Sequence, residues 1–588
     1  MDIRTYLKDN KLITDGAFGT YYVNKGGKFD IIEMSNFGEP ELVKEIHREY
    51  IEAGAKLIRT NTFSSNAELF SHDIEKAAEN AVCGYRLAKE VADEYDDVFV
   101  AADMGPITPN DIYDSLSVEK QYMELSKAFV DNGAEILLYE TLSSLDDVSG
   151  VIRDIKKYSG KDLFVIVQFC VNQYGFSNAG RSAKSLVEEC MKIQEIDAVG
   201  FNCGVGPVHL YKIIEDMGIP EGKYITALPN AGYPKFSKNR MVFLDNENYF
   251  TQKELNIAEL GVHIVGGCCG TTPSYIKKLS EGIKNISEKK ADVMEIKSEN
   301  TEDKVKNNSF FNDKTEKLIA VELAPPSDSN DDKFLEAANY LKNMNVDVLT
   351  FPDSPSGRTR ADSVLMASKV HASTGMKVMP HICCRDKNAI AIRAQLLGAH
   401  MNDIHNFLIV TGDPVPTMIR QNVKSVFNFD SVGMMKIIKD MNGEQFCKSP
   451  VTYGGVINYD RLKFDVEIRR VEKKMEAGAR FFFTQPVFTK EDAEKIIMVK
   501  KQTGARILCG FMPLVSRNNA IFIKNEMTGI RVTDEICDLF KPEMSRDESE
   551  DVGVRIVKSV METVSDYVDG YYFTFPFNRV YLLEKILH

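Results

Sequence analysis

Tryptophan is missing from the 588 residues, and so is any stretch approaching the roughly 18 consecutive apolar residues of a membrane-crossing helix. The first absence decides nothing, because Phe and Tyr supply ordinary core material. The second removes a membrane-spanning role, and the opening Met1-Asp2-Ile3-Arg4-Thr5-Tyr6 has no apolar core of signal-peptide length. Positive charge is also in deficit: 72 Lys and Arg stand against 86 Asp and Glu, a formal net charge of −14. That balance argues against nucleic acid and anionic membrane surfaces as partners, since both reward a surplus of Lys and Arg. The 11 cysteines are an odd number with no regular framework, unlike a secreted disulfide scaffold. A cytoplasmic protein acting on small molecules is the expectation, with any clustered cysteines as candidates for metal or redox roles.

What is present is a chain too long for one hydrophobic core. Its clearest change of texture spans 284–316, where Ser, Glu, Lys, Asp and Asn dominate and Gly, Pro and strand-like runs are lacking. Such a segment buries too little apolar surface to offset its ordering entropy and reads as a charged linker. It leaves two domains, 1–283 and 317–588. Each alternates short apolar runs with longer amphipathic stretches, the signature of β/α units around a parallel sheet.

Eight strand candidates fall in each domain. The first has them at Leu12-Thr14, Lys56-Thr60, Val98-Ala102, Glu135-Tyr139, Leu163-Phe169, Ala198-Phe201, Tyr224-Ala227 and His263-Val265. The second has Leu318-Leu323, Asp347-Phe351, Lys377-Ile382, Phe407-Val410, Val451-Val456, Arg480-Thr484, Arg506-Gly510 and Tyr571-Phe575. A glycine often stops the helix before the next strand, as in Ala53-Gly54-Ala55 and Ala477-Gly478-Ala479. A doubly wound open sheet alternates in the same way. The paired count of eight favours an α/β chain of two (β/α)8 TIM barrels.

In such a barrel the loops after the strands carry the chemistry. Three cysteines of the first domain lie there: Cys203 in Phe201-Asn202-Cys203-Gly204, and Cys268-Cys269 in Gly266-Gly267-Cys268-Cys269-Gly270. Flanking glycines free the backbone to turn both sulfurs inward, and a third thiolate from another strand leaves the fourth position of a zinc ion open, as catalytic sites require. Inert buried thiols are the competing reading, and a vicinal disulfide is disfavoured by compartment.

From about Lys11 to Ile283 the chain resembles the homocysteine S-methyltransferase family. The resemblance rests on Asp15-Gly16-Ala17-Phe18-Gly19-Thr20, Thr60-Asn61-Thr62-Phe63, Gly105-Pro106, Tyr139-Glu140-Thr141, Asn202-Cys203, Pro229-Asn230-Ala231-Gly232 and the glycine-flanked cysteine pair. It implies that Cys203, Cys268 and Cys269 ligate zinc, and that Asp15 and Glu140 hold the amino group of homocysteine. On residue type alone, either carboxylate reads as a solvated loop residue. A free thiol, with a pKa of about 8.5, is mostly protonated at neutral pH, and zinc removes that proton.

The second domain lacks a Gly-x-Gly-x-x-Gly between strand and helix, which argues against a Rossmann-type site. Its informative residues again follow strands: Glu322, Thr350, His381, Asp413 and Gln485. A carboxylate at the end of an apolar strand, such as Glu322, is costly to bury and therefore conspicuous. The vicinal pair Cys383-Cys384 has no flanking glycines and reads as structural, and the acidic run from Arg546 to Asp551 as a solvated helix start.

Glu322-Leu323-Ala324-Pro325-Pro326, Thr411-Gly412-Asp413-Pro414 and the segment Glu476-Ala477-Gly478-Ala479 to Thr484-Gln485-Pro486 together resemble methylenetetrahydrofolate reductase. The resemblance runs from about Lys317 to the end. It implies FAD on the barrel mouth, contacted by Thr350, His381, Asp413, Glu467 and Lys474, with NAD(P)H as electron donor and Gln485 on the pterin. The family often has Asp where this chain has Glu467. Ring opening of the folate needs a proton at the departing nitrogen, a role that falls to Glu322, and the iminium cation that results suits stabilisation by Asp413.

The expectation is therefore a bifunctional one-carbon enzyme that methylates homocysteine to methionine and reduces 5,10-methylenetetrahydrofolate to 5-methyltetrahydrofolate. The alternatives are a first barrel acting on another thiol or selenol, or one serving as a non-catalytic regulatory module. No Asp-x-His-x-x-Gly corrinoid motif is present, so S-methylmethionine, the folate product and a separate corrinoid protein all stand as methyl sources. A homo-oligomer is expected.

Overall fold

Strand residues alternate between two apolar environments, and that alternation sets the architecture. In a computed structural model the chain divides into two units, Met1–Thr301 and Glu302–His588. The structure describes all residues except 1, 108–116, 233–234, 238–239, 243–245, 287–293, 295–307, 312–315, 414–423, 461–463 and 528. Most of the expected linker thus lies outside the described residues.

The first unit contains β1 (Leu12–Ile13), β2 (Leu57–Arg59), β3 (Phe99–Met104), β4 (Ile136–Leu142), β5 (Phe164–Phe169), β6 (Ala198–Asn202), β7 (Tyr224–Leu228), a hairpin of β8 (Lys235–Ser237) and β9 (Arg240–Val242), and β10 (Ile264–Val265). The parallel order is β1-β10-β7-β6-β5-β4-β3-β2. A parallel bridge between Thr14 and Leu57 brings the two ends together, with the Asp15 amide donating to the Leu57 carbonyl at 3.0 Å. All eight expected strands are present, and the eight-stranded parallel barrel is the expected one.

Successive strand side chains point to opposite faces. Leu12, Leu57, Ala101, Ile136, Leu138, Phe164, Ile166, Ala198 and Ile264 fill the barrel interior. Residues of the opposite parity, including Ile58, Ala102, Leu137, Val165, Val199 and Ile225, pack under the helices. Burial on both faces explains why these strands read as continuous apolar runs. The short helix Ile3–Asp9 closes the floor, burying Ile3 and Leu7 against the interior residues.

The second unit is a closed barrel of β11 (Leu318–Glu322), β12 (Val348–Phe351), β13 (Val378–Cys383), β14 (Asn406–Val410), β15 (Thr452–Ile457), β16 (Phe481–Pro486), β17 (Ile507–Phe511) and β18 (Gly570–Thr574). Its interior holds Leu318, Ala320, Val348, Met379, Leu408, Phe481, Phe483, Leu508 and Tyr572. Phe310 belongs to the same cluster, its ring 5.0 Å from Phe481, while the Arg506 guanidinium covers Phe311 at 4.1 Å. Both barrels are therefore plugged at one end, and polar inward residues collect at the carboxyl ends of the strands.

The helix-stopping glycines behave as their sequence context predicts: Gly54 has φ 107 and Gly478 φ 98, a conformation that L side chains rarely adopt. Among the described residues no helix is long and apolar enough to cross a membrane.

Candidate active sites

Residues two apart on a strand share a face, so Arg59 points inward with Leu57, Asp103 with Ala101, Glu140 with Leu138, Gln168 with Ile166 and Asn202 with Ala198. These polar side chains form a layer above the apolar interior of the first barrel. All five are buried.

Arg59 is the hub of this layer. Its Nε donates to Asp15 Oδ1 at 2.7 Å and its backbone N–H to Asp15 Oδ2 at 2.8 Å. One terminal nitrogen reaches Glu140 Oε2 at 3.2 Å, and the other donates to the carbonyls of Gly16 at 2.6 Å and Gly267 at 2.8 Å. The Asn202 amide adds a second donor to Glu140 Oε2 at 3.1 Å. Burial pushes the Glu140 carboxyl up to about 7 against the pull of Arg59, and it raises Asp15 and Asp103 as well. Two of these three carboxyls, Asp15 and Glu140, pair with the one guanidinium, so the layer is short of positive charge.

The three expected cysteines converge beside it, with their sulfurs all within 4.8 Å of one another. Cys203 Sγ and Cys269 Sγ are 3.7 Å apart. Sulfurs bound to one tetrahedral zinc at about 2.3 Å would be separated by about 3.8 Å, so the set fits that ion. Cys203 takes a left-handed φ of 56 directly after β6, which turns its sulfur toward the other two. Hydrogen bonds from Cys268 and Cys269 favour the Cys203 thiolate, and its charge disfavours ionisation of the other two.

The glycines before the cysteine pair act differently from the sequence expectation. Neither Gly266 nor Gly267 has a positive φ; only Gly270 does, at 83. A Cβ on Gly266 would lie 2.1 Å from Thr14 Oγ1, and one on Gly267 2.3 Å from Thr271 Oγ1. These two glycines permit close approach rather than an unusual turn, Gly266 against Thr14 at the end of β1 and Gly267 against Thr271 of the same loop.

At the second mouth Glu322 and Thr350 sit in register on β11 and β12. Burial pushes Glu322 up to about 7, and the Tyr572 hydroxyl donates to its Oε2. His381 is buried and pushed down to about 3, hence neutral, and its Nε2 has no partner among the described residues. Gln485 lies at the end of β16, where the pairing with β17 shifts register between Phe483 and Pro486.

Glu467 and Lys474 lie seven residues apart on the helix Phe464–Glu476. Glu467 Oε1 accepts from the Asn458 amide at 2.9 Å, and Lys474 Nζ donates to the Val456 carbonyl at 2.8 Å. Both are therefore tied to the end of β15. Asp413 is exposed, its Oδ2 accepting from the Ser356 amide at 2.6 Å. Pro414 lies outside the described residues. The unpartnered imidazole nitrogen, with the polar groups of Thr350, Glu467 and Lys474 around the mouth, fits a polar cofactor such as a flavin. Cys383 and Cys384 are buried.

Sequence reasoning passed over Arg59, Asp103 and Tyr572. The first two carried a usable signal: each is a charged residue inside an apolar strand, the same anomaly that drew attention to Glu322. Tyr572 gave none, since an aromatic residue in a strand is commonplace.

Comparison with known proteins finds a family match for each half of the chain. The family model described as homocysteine S-methyltransferase matches residues 12–283, and that described as methylenetetrahydrofolate reductase matches residues 308–588. Methionine synthase of Mycobacterium leprae (strain TN) is 29% identical over 306 residues, covering 48% of this chain and 25% of that protein. Its counterpart in Mycobacterium tuberculosis (strain ATCC 25618 / H37Rv) is 28% identical over 305 residues, covering 48% and 26%. The chain spans about a quarter of the length of the curated relatives it matches. Among solved structures, the homocysteine methyltransferase MmuM from Escherichia coli in its oxidized form is 18% identical, covering 47% of this chain and 98% of that one with a TM-score of 0.40. Its metallated form is also 18% identical, covering 47% and 99% with a TM-score of 0.39. Residues 12–283 thus belong with the homocysteine S-methyltransferase family and residues 308–588 with the methylenetetrahydrofolate reductase family.

Proposed function

We propose that the first domain, 1–283, transfers a methyl group to the sulfur of homocysteine, and that the second, 317–588, reduces 5,10-methylenetetrahydrofolate to 5-methyltetrahydrofolate. Residues 284–316 join them, and the enzyme works in the cytoplasm as a homo-oligomer. The convergence of three sulfurs from two strand ends carries the reading.

In the first barrel Cys203, Cys268 and Cys269 hold zinc. The ion, when bound, keeps an incoming thiol ionised at neutral pH, where a free thiol is largely protonated. Three protein ligands leave the fourth position for the substrate sulfur. Asp15 and Glu140, tied to Arg59, present negative charge to the substrate's amino group and fix the direction in which its sulfur enters.

In the second barrel Thr350, His381, Asp413, Glu467 and Lys474 hold FAD. The flavin, when bound and reduced by NAD(P)H, supplies the hydride. Glu322 is the general acid: with a carboxyl titrating near neutrality it is protonated often enough to donate and acidic enough to give the proton up. Tyr572 donates to Oε2, so the acidic proton sits on Oε1, and Gln485 hydrogen-bonds the pterin. The negative charge of Asp413 stabilises the iminium form of the folate.

The test is a donor screen with the purified full chain and homocysteine, scoring methionine formation from S-methylmethionine, from 5-methyltetrahydrofolate and from a separately added methylated corrinoid protein. Methionine from any one of the three supports homocysteine methylation and identifies the donor. Failure with all three on a zinc-loaded, flavin-loaded protein would overturn it.

A further inference from the structure

Asp103 is the carboxyl that the first barrel leaves over. It is 3% exposed, and its Oδ1 has no hydrogen-bond partner among the described residues. A buried carboxylate without a donor is strongly unfavourable, yet the surroundings hold this one in place. The Thr60 hydroxyl accepts from the Asp103 amide at 2.9 Å, and the Thr62 hydroxyl donates to the Asp103 carbonyl at 2.7 Å. The main chain is pinned on both sides while the side chain is left without a donor.

Its neighbours define what is missing. Arg59 pairs with Ala101, two residues before Asp103 on the same face, and Asp103 pairs with Leu138, two residues before Glu140. Arg59, Asp103 and Glu140 therefore occupy three adjacent strands with inward side chains. The guanidinium is already committed to Asp15, Glu140 and two carbonyls. Both Asp15 oxygens already accept from Arg59, and Glu140 Oε2 accepts from Arg59 and Asn202. Among the described residues Asp103 Oδ1 remains as a buried acceptor without a donor.

A second, independent observation lies on β5. Gln168 is 2% exposed; its Nε2 donates to Thr226 Oγ1 at 2.8 Å, while its Oε1 has no partner among the described residues. The layer therefore lacks N–H donors and positive charge together. A zinc ion on the cysteines would neutralise the thiolates and leave the carboxylates unrelieved. A primary ammonium supplies three N–H donors and one positive charge, whereas a thiol without an amine supplies neither.

The geometry points to Asp103 as a further acceptor, beside Asp15 and Glu140, for the α-ammonium group of an amino-acid thiol, and so as a residue that discriminates against thiols lacking an amine. This inference rests on the reading of the first barrel as a homocysteine methyltransferase. Burial raises Asp103, and an arriving ammonium would favour its ionised form.

The test is equilibrium binding to the zinc-loaded full chain, comparing homocysteine with 4-mercaptobutanoate, the same thiol without its amino group. Wild type should bind homocysteine at least tenfold more tightly. Asp103→Asn should lose about tenfold or more for homocysteine and hold 4-mercaptobutanoate within about twofold, with zinc content unchanged. Equal homocysteine affinity in wild type and variant would overturn the inference while leaving the methyltransferase reading intact. Loss of both thiols together would also overturn it, because Asp103 would then shape the site rather than meet an amine; Asp103→Ser, measured in parallel for zinc and both thiols, guards against a fault peculiar to the Asn side chain. If wild type binds neither thiol, the methyltransferase reading itself fails and the inference falls with it.

Discussion

The hydroxyl of Tyr572, on the last strand of the second barrel, donates to the carboxyl of Glu322 on the first. The pairing of β11 with β18 that closes the barrel therefore also sets the environment of the proposed acid. Burial pushes Glu322 up, while the Tyr572 hydrogen bond pulls it partly back by favouring the charged form.

Removing that hydroxyl should leave burial to act alone. On the proposed mechanism folate reduction needs protonated Glu322 and should fall as pH rises through about 7 in wild type. In Tyr572→Phe the fall should move to higher pH by about one pH unit, the size expected for a lost hydrogen bond to a charged group. The rate of flavin reduction by nicotinamide should not change. A pH profile that superimposes on wild type would show that the tyrosine does not tune the acid.

Glu322→Gln should abolish folate turnover and alter the pH dependence of stability. A carboxyl whose folded pKa lies above its ordinary value binds its proton more tightly when folded. That contribution is whole below the ordinary carboxylate range and is lost as pH rises through about 7. Gln cannot ionise, so between about pH 5 and about pH 9 the stability difference should move in the variant's favour by roughly 1–3 kcal/mol. Denaturant titrations at the two pH values measure it, and parallel behaviour of the two proteins would contradict the buried-acid assignment.

Most of the architecture was legible because parallel strands buried on both faces announce themselves as apolar runs: every one of the 16 proposed strands has its counterpart among the barrel strands. The cysteine trio was legible for a different reason, its adjacency and its glycines, although those glycines turn out to serve close packing against Thr14 and Thr271. What sequence hid was pairing across the barrel. Arg59 stands out in sequence only as a charge inside an apolar strand, and its partners emerge when β1, β2 and β4 are brought together around it. Glu550 shows the same limit: the helix Arg546–Val564 does begin with an exposed capping box, yet Glu550 is buried against Arg579 at 2.8 Å and Arg546 at 3.0 Å.

Arg59 should be the most sensitive single position of the first barrel. Arg59→Met leaves Asp15 and Glu140 buried without their cation, a change expected to destabilise the unit by roughly 3–5 kcal/mol. Thermal unfolding followed by calorimetry should show one transition lowered and the other unmoved. Loss of less than about 1 kcal/mol would mean that the carboxylates are relieved by another route.

The most direct measurement is the metal content of the purified chain together with the number of sulfurs around the ion, read by X-ray absorption at the zinc edge. One zinc per chain with three sulfur neighbours, rising to four when homocysteine is added, is the predicted result. A chain that holds no zinc under reducing conditions, or whose sulfur count stays the same with saturating homocysteine, would contradict it.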